Sequence, residues 1–198
     1  MSRQSGTLVA MGPFSDERVE ADGFLLFDTT IGRCAIAWNG HGIVGVQLPE
    51  ADDQRTHRRA LRRWPGAAMT TAPEAVQSTI AAIVALLRGE RVDLTSVVLD
   101  DSGLAAFDRL VYAVARSIPP GSTLTYGDVA KRLGEPGAAR AVGQALGANP
   151  FAIIVPCHRV IAAHGKMGGF SAGGGVNTKQ RMLAIEGAPV TIAPTLFD

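Results

Sequence analysis

Apolar residues fall in short dense runs over the first third of the chain, and at helical spacing through much of the remainder. Phe24–Asp28, Cys34–Trp38 and Ile43–Leu48 are such runs, separated by Thr29-Thr30-Ile31-Gly32 and Asn39-Gly40-His41-Gly42, so the pattern predicts three short strands. Asn39-Gly40 is a tight-turn signal, because both residues tolerate positive φ. Asp52–Trp64 reads as an arginine-rich helix in which Arg58, Arg59, Arg62 and Arg63 recur at helical spacing as a solvated face. Pro73–Arg88 reads as a second amphipathic helix closed by Gly89, and Val92–Leu99 as another strand or extended segment.

The second half is dominated by helical periodicity. Leu104–Ser117 carries Phe107, Leu110, Val111 and Val114 at core spacing and stops at Pro119-Pro120-Gly121. Thr125 and Asp128 form a capping-box pattern for a helix over Tyr126–Leu133. Gly134-Glu135-Pro136-Gly137 makes a turn, and Ala138–Leu146 forms a further helix, which together predict a helix-turn-helix. The apolar stretch Phe151–Val155 reads as a buried strand that ends at Pro156. A glycine-rich loop, Gly165–Gly175, precedes a closing helix over Thr178–Glu186 that Gly187 ends.

Length and composition narrow the class. At 198 residues, 46% hydrophobic and 19% charged, the chain is globular rather than disordered, with room for one large or two small domains. No apolar run reaches the roughly 18 residues of a membrane span, and residues 1–16 lack the apolar stretch of a secretory signal. Two distant cysteines, Cys34 and Cys157, make no disulfide framework, which points to a reducing, cytoplasmic setting. Net charge is +1, but it is unevenly spread: residues 1–120 hold 12 basic and 14 acidic side chains, residues 121–198 hold 7 and 4. The cysteine-bearing half is thus the basic one, a tilt compatible with phosphate binding.

Candidate chemistry concentrates at Pro156-Cys157-His158-Arg159-Val160. Thiolate is the nucleophilic form of cysteine, and neighbouring positive charge lowers a thiol's pKa. Cys34, inside an apolar run, reads as an inert core residue. A zinc site from Cys34, His41 and His57 lacks paired ligand spacing, so no metal is expected. Trp38 and Trp64 read as packing residues, and His164 as an exposed loop residue. The helix Ala138–Leu146 has small residues and one long projecting side chain, Arg140. Reading bases in the major groove needs several long polar side chains. Small residues instead suit either close approach to a minor groove or tight helix packing.

Tyr126, Ala139-Arg140-Ala141-Val142-Gly143, Asn149-Pro150, Pro156-Cys157-His158-Arg159-Val160, Gly169-Phe170-Ser171 and Leu183-Ala184-Ile185-Glu186-Gly187 occur in one order. Together they closely resemble the O6-alkylguanine-DNA alkyltransferases (methylated-DNA–protein-cysteine methyltransferases), strongly from Phe107 to Gly187 and only in layout over residues 1–100. The resemblance implies an α/β N-terminal domain of ribonuclease-H-like layout over 23–100. It implies a mainly α, winged-helix-like domain with a helix-turn-helix over 103–190, between a flexible leader (1–22) and a tail (191–198). It also implies direct-reversal repair of duplex DNA, in which an alkyl group moves irreversibly from guanine O6 to Cys157 in a single turnover.

In that reading His158 takes the Cys157 proton through a water, Glu186 orients His158, and Asn149 braces the turns around the site. Arg140 fills the gap left by the flipped base, with Ala139 and Gly143 on the same helix at the DNA. Tyr126 assists extrusion and contacts guanine. The backbone at Cys157 and Val160 accepts from the guanine amino group, the Ser171 amide donates to O6, and Phe170 walls the pocket. The implied partner is double-stranded DNA bound with little sequence preference by a monomer, with no cofactor, metal or membrane. The chemistry agrees in part, since O6 is out of a protein thiol's reach until the nucleotide leaves the stack.

Two departures from the family pattern are visible. Phe170 stands where many members have tyrosine, and Lys179 falls two residues later than usual because the Ala172–Gly175 loop is longer. Three rival functions carry sequence requirements of their own. An alkyltransferase-like protein that binds lesions without transfer would have tryptophan at the cysteine position. A cysteine hydrolase would need a separate histidine with an Asn or Asp orienter. An alkylation-switched transcriptional regulator would need a further domain.

Overall fold

The computed structural model describes residues 19–163 and 175–189. Most of the leader, His164, Phe170, Ser171, Ala172 and the 191–198 tail lie outside the described residues. Three strands, β1 (Gly23–Thr29), β2 (Gly32–Asn39) and β3 (Gly42–Gln47), form an antiparallel meander. The β2–β3 turn closes where the sequence expects it. Asn39 Oδ1 accepts from the backbone N–H of His41 (2.9 Å) and Gly42 (3.2 Å), fixing a two-residue connection. A two-residue strand that the sequence pattern does not predict, β4 (Ala68–Met69), pairs parallel to β1 and gives the order β3-β2-β1-β4.

The strands read as near-continuous apolar runs because both faces of the sheet are covered. The side chains divide between the two faces, with a register irregularity between Ala37 and Trp38 that puts Val44 and Val46 of β3 on opposite sides: Phe24, Ala35, Ala37 and Val44 pack under helix α1 (Asp53–Arg63) with Ala60 and Trp64. Phe27, Cys34, Ile36, Trp38, Ile43 and Val46 face the other way, toward helix α2 (Glu74–Leu87) and the rest of the chain. Trp38 and Trp64 are buried packing residues, as expected. Shortening Trp64 to alanine would cost about 3–5 kcal/mol from lost burial and the cavity left behind.

Residues 92–99 do not form a strand. They turn at Thr95-Ser96, where Val97 N donates to Leu94 O, and make one parallel bridge at Leu99 to Ile43, while Arg116 donates to the carbonyls of Leu94, Thr95 and Val97. Helix α3 (Ala106–Arg116) is present, but its buried stripe is rotated from the expected one. Val111, Tyr112 and Ala115 are buried whereas Leu110 is 58% exposed. Tyr112 sets this rotation: its hydroxyl donates to Ala145 O (2.9 Å) and its ring meets Phe151 edge-on.

The capping box forms as expected, with Thr125 Oγ1 accepting from Asp128 N and Asp128 Oδ2 accepting from Thr125 N, both at 3.0 Å. It starts α4 (Tyr126–Arg132), followed by α5 (Ala139–Gly147). Between them Gly134 takes φ 76°, with Gly134 N bonded to Lys131 O and Glu135 N to Ala130 O. That pairing is a Schellman stop, which favours glycine at the left-handed position. One buried cluster joins the inner face of the sheet to α3, α4, α5 and residues 151–160.

Candidate active site

The apolar run before Cys157 is not the strand that its composition suggests. Val46 N donates to Pro150 O (2.9 Å) and Phe151 bridges Val46, after which the chain turns back so that Val155 N reaches Phe151 O (2.8 Å). Ile153 sits at φ 73°, a conformation that costs a β-branched residue on the order of 1–3 kcal/mol and so needs bracing. Asn149 supplies it: its Nδ2 donates to Val155 O and its Oδ1 accepts from Phe151 N, both at 2.9 Å. Pro156 then takes φ −80°, ψ 66°, and Cys157 N donates to Val155 O (2.8 Å), an inverse γ-turn. Its fixed ring pre-sets that φ. Cys157 therefore opens a short 3-10 turn, Cys157–Arg159, at the end of two consecutive tight turns.

Strand β6 (Val160–Ile161) leaves this turn and pairs parallel with β5 (Leu124–Thr125), Leu124 opposite Val160. Since α4 begins at the next residue, this two-residue ladder delivers Tyr126 to the site. Neither strand is long enough to leave a periodic signal in the sequence. Tyr126 packs against α5 at Gly143, where an added Cβ would lie 3.8 Å from the ring. Within α5, Val142, Ala145 and Leu146 are buried, Ala139 and Gly143 are half-buried and Arg140 is exposed. Gly143 thus lets Tyr126 pack close against α5, and Arg140 projects from the helix.

Helix α6 (Gly175–Ile185) begins earlier than the sequence suggests and ends in a second Schellman stop, Gly187 N to Ala184 O and Ala188 N to Leu183 O. Glu186 is its cap. Its carboxylate lies 3.0 Å from His158 Nε2 and receives Arg159 Nε (2.9 Å) and Nη2 (2.8 Å), while Arg159 Nη1 donates to Ile118 O (2.5 Å). Burial alone would raise the Glu186 carboxyl, but the hydrogen bonds and charges of His158 and Arg159 outweigh it and hold it at about 2. Burial pushes the His158 imidazole down; Glu186 pulls it back up, and the Arg159 and Lys179 charges push down again, so the ring rests neutral near pH 7. With Nε2–H facing a carboxylate, Nδ1 carries the free lone pair, and it has no partner among the described residues.

Burial likewise raises the Cys157 thiol, partly offset by a hydrogen bond from Asn149, the Lys179 charge, and the backbone N–H groups of Cys157 and His158. The adjacent cations therefore do not lower this pKa, contrary to what the sequence suggests. Arg159 is committed to Glu186, desolvation outweighs the positive charge, and the resting group is a thiol that needs a base. Lys179, in the sequence only a marker of loop length, is 1% exposed. Its Nζ donates to Val160 O (2.7 Å) and lies 5.9 Å from the Tyr126 ring centre. One lone pair of Val160 O is thereby engaged, leaving the other free. A signal existed: Lys179, Met182, Leu183 and Glu186 fall at i, i+3, i+4 and i+7, on one face of α6.

A cavity of about 340 Å³ opens beside Cys157, lined by Tyr126, Gly143 and Asn149 on one side and by Gln47, Arg59 and Arg63 on the other. The second wall comes from β3 and α1, whose sequences show no chemistry of their own. Arg63 does not join a solvated face. It donates to Val46 O, Gln47 Oε1 and, at 2.8 Å, Pro150 O, tying α1 to the loop before Cys157. Burial, with Arg59 nearby, brings its guanidinium down to about 10. Among the described residues no three His, Cys, Asp or Glu side chains gather as metal ligands would.

Residues 106–188 match the family model described as the 6-O-methylguanine DNA methyltransferase DNA-binding domain. The methylated-DNA–protein-cysteine methyltransferase of Mycolicibacterium paratuberculosis is 44% identical over 171 residues, spanning 86% of this chain and 96% of that one. The chain belongs to the methylated-DNA–protein-cysteine methyltransferase family. A family member from Methanothermobacter thermautotrophicus is 43% identical over 152 residues, 77% of this chain and 78% of its own. Among solved structures, Mycobacterium tuberculosis OGT in complex with DNA superposes with a TM-score of 0.65 at 36% identity, covering 84% of this chain and 95% of that one. The mixed α/β fold is thus the family's. Every described candidate from Tyr126 to Glu186 lies within the matched segment, whereas Gln47, Arg59 and Arg63 lie outside it.

Proposed function

We propose that this methyltransferase-family protein reverses DNA alkylation directly, moving an alkyl group from O6 of guanine in duplex DNA onto Cys157. The observation that carries the reading is a partly exposed Cys157 beside a cavity, next to the buried chain His158–Glu186–Arg159. The thiol rests protonated, so His158 Nδ1 takes its proton through a water. The imidazolium that forms is stabilised by the Glu186 carboxylate, which Arg159 keeps ionised. The thiolate attacks the alkyl carbon and a C–S bond forms as the C–O6 bond breaks. The electron pair goes to the purine, which takes up a proton and leaves as guanine. The thioether has no leaving group for a second turnover, so each molecule acts once.

Asn149 braces the two turns and donates toward sulfur; Lys179 lowers the energy of the thiolate. Tyr126 meets the extruded guanine, and the free lone pair of Val160 O together with the Cys157 backbone accept from its amino group. Arg140 fills the stack, with Ala139 and Gly143 allowing α5 to approach the groove. Phe170 and Ser171 complete the pocket in this reading. Residues 23–100 form a ribonuclease-H-like support and 103–190 a winged-helix-like unit carrying the helix-turn-helix. The protein acts as a cytoplasmic monomer, where a reducing setting keeps Cys157 as a thiol.

Among the described residues no helix is long and apolar enough to cross a membrane. Intact-mass measurement after incubation with O6-methylguanine duplex should show a gain of one methylene unit, mapping to the Cys157 peptide. Binding of that duplex with no mass gain would instead favour a lesion binder without transfer.

A further inference from the structure

Helix α1 carries five arginines and one acidic residue in eleven positions. Arg55, Arg58, Arg59 and Arg62 stand at i, i+3, i+4 and i+7, one stripe along the helix, while Thr56 and Ala60 are buried toward the sheet. Like charges at these spacings repel and weaken an isolated helix. A face built only for solvation alternates its signs; this one does not. Arg55 pairs with Asp52 and Arg59 with Glu50, but Arg58 and Arg62 have no ion-pair or hydrogen-bond partner among the described residues.

Position makes the stripe more than a surface. All four arginines line one shallow cleft of about 220 Å³. Arg59 also lines the Cys157 cavity, so the basic cleft and the reactive cavity share a wall. From Arg55 to Arg62 the stripe rises through seven steps, about 10 Å at ~1.5 Å per residue. That is about three nucleotides of one strand at ~3.4 Å each. A nucleotide extruded into the Cys157 cavity brings its flanking phosphates to the cavity mouth.

Resting on the duplex-DNA reading above, we propose that the Arg55–Arg62 stripe of α1 is a second phosphate-binding surface that holds the DNA backbone beside the Cys157 cavity. The β-sheet half of the molecule then contributes to the DNA footprint as well as supporting the loop before Cys157.

The test is the salt dependence of duplex affinity, measured by fluorescence anisotropy between about 50 and 200 mM salt, the range over which phosphate binding dominates affinity. Arg58→Gln/Arg62→Gln removes two cations that support no other interaction. Removing one arginine–phosphate pair should make the log–log slope shallower by about 0.9, and near 0.1 M salt should weaken binding about eightfold for one pair and about sixtyfold for two. Arg58→Lys/Arg62→Lys should retain most of the slope, because a phosphate is satisfied by a point charge. Arg88→Gln/Arg91→Gln, an equal charge removed from exposed positions off α1, should leave slope and affinity as in the parent.

An unchanged slope in Arg58→Gln/Arg62→Gln, while the parent protein still transfers the alkyl group, overturns the second surface and leaves the function intact. An equal loss in Arg88→Gln/Arg91→Gln overturns it too, by reducing the effect to net charge. A parent protein that neither binds duplex nor gains mass defeats the functional reading itself.

Discussion

Cys34 and Cys157 are both pressed among packed side chains, one in the β-sheet and one in the second half of the molecule, and their surroundings differ in kind. Cys34 is fully buried on the inner face of β2, and burial pushes its thiol up to about 12, relieved only by the Thr29 hydroxyl. Cys157 is also raised by burial, but the Asn149 amide, the Lys179 charge and two backbone N–H groups work against the rise. It opens onto a cavity, with His158 as its neighbour in the chain. Burial is therefore common to both thiols. Donors, a nearby cation, a base and an opening make one of them chemically useful.

The most direct way to break this contrast is to exchange the fates of the two sulfurs. Cys157→Ser should abolish alkyl transfer while DNA binding persists, whereas Cys34→Ala should still gain one alkyl group at Cys157. Intact-mass spectrometry reads both, and an alkyl adduct on Cys34 would undo the distinction. Next comes the relay behind Cys157. Glu186→Gln keeps the shape but leaves Arg159 buried without its counter-charge, which should cost about 3–5 kcal/mol and slow transfer about 10²- to 10⁴-fold.

The same variant alters acid stability. Glu186 is near 4.5 unfolded and about 2 folded. A depressed folded pKa means that its stabilisation is full above about pH 4.5 and is lost as pH falls toward 2. His158, also depressed, destabilises in the same direction below about 6.5. Chemical denaturation of Glu186→Gln should therefore show a flatter decline between pH 5 and 3 than the parent; a parallel decline would remove Glu186 from the account.

Much of the region around Cys157 was legible in the sequence because its logic is local. The Thr125/Asp128 box, the stop at Gly187 and the Pro156–Val160 run act through neighbours in the chain. The illegible part depends on partners far away. Phe151–Val155 has the composition of a strand, but Asn149 grips both of its ends and Pro150 is held by Val46 and Arg63, so it folds as a turn. β4, β5 and β6 are two residues each, too short for a period to show. The role of α1 was invisible for a different reason: arginines of one helix take opposite roles, Arg63 inward and Arg58 outward, and the acceptors that hold Arg63, on Val46, Gln47 and Pro150, come from other parts of the chain.

Lys179 sharpens the contrast by a smaller amount. Lys179→Gln keeps a donor for Val160 O but removes the positive charge that favours the Cys157 thiolate, so the thiol should titrate higher. The rate of labelling by a neutral alkylating reagent should fall several-fold at pH 7–8, and its alkaline rise should move to higher pH. A uniform fall across all pH values would mean a packing defect rather than a lost charge.

Cys34 offers the subtlest test, on the alkaline side. Its thiol is near 9 in the unfolded chain and about 12 in the folded one, so the native state holds a proton that the unfolded state releases. Such a raised pKa contributes stability that is complete below about pH 9 and is lost as pH climbs toward 12, at up to about 1.4 kcal/mol per pH unit. By pH 10 the parent should have lost about 1.4 kcal/mol through this group alone. Cys34→Ala, although less stable at neutral pH for want of its sulfur, should not show that added loss. Urea unfolding at pH 8 and pH 10 compares them, with Cys157→Ser as the background to isolate Cys34. If the two proteins decline equally, the proton on Cys34 is not held by burial, and the two thiols are less different than their surroundings imply.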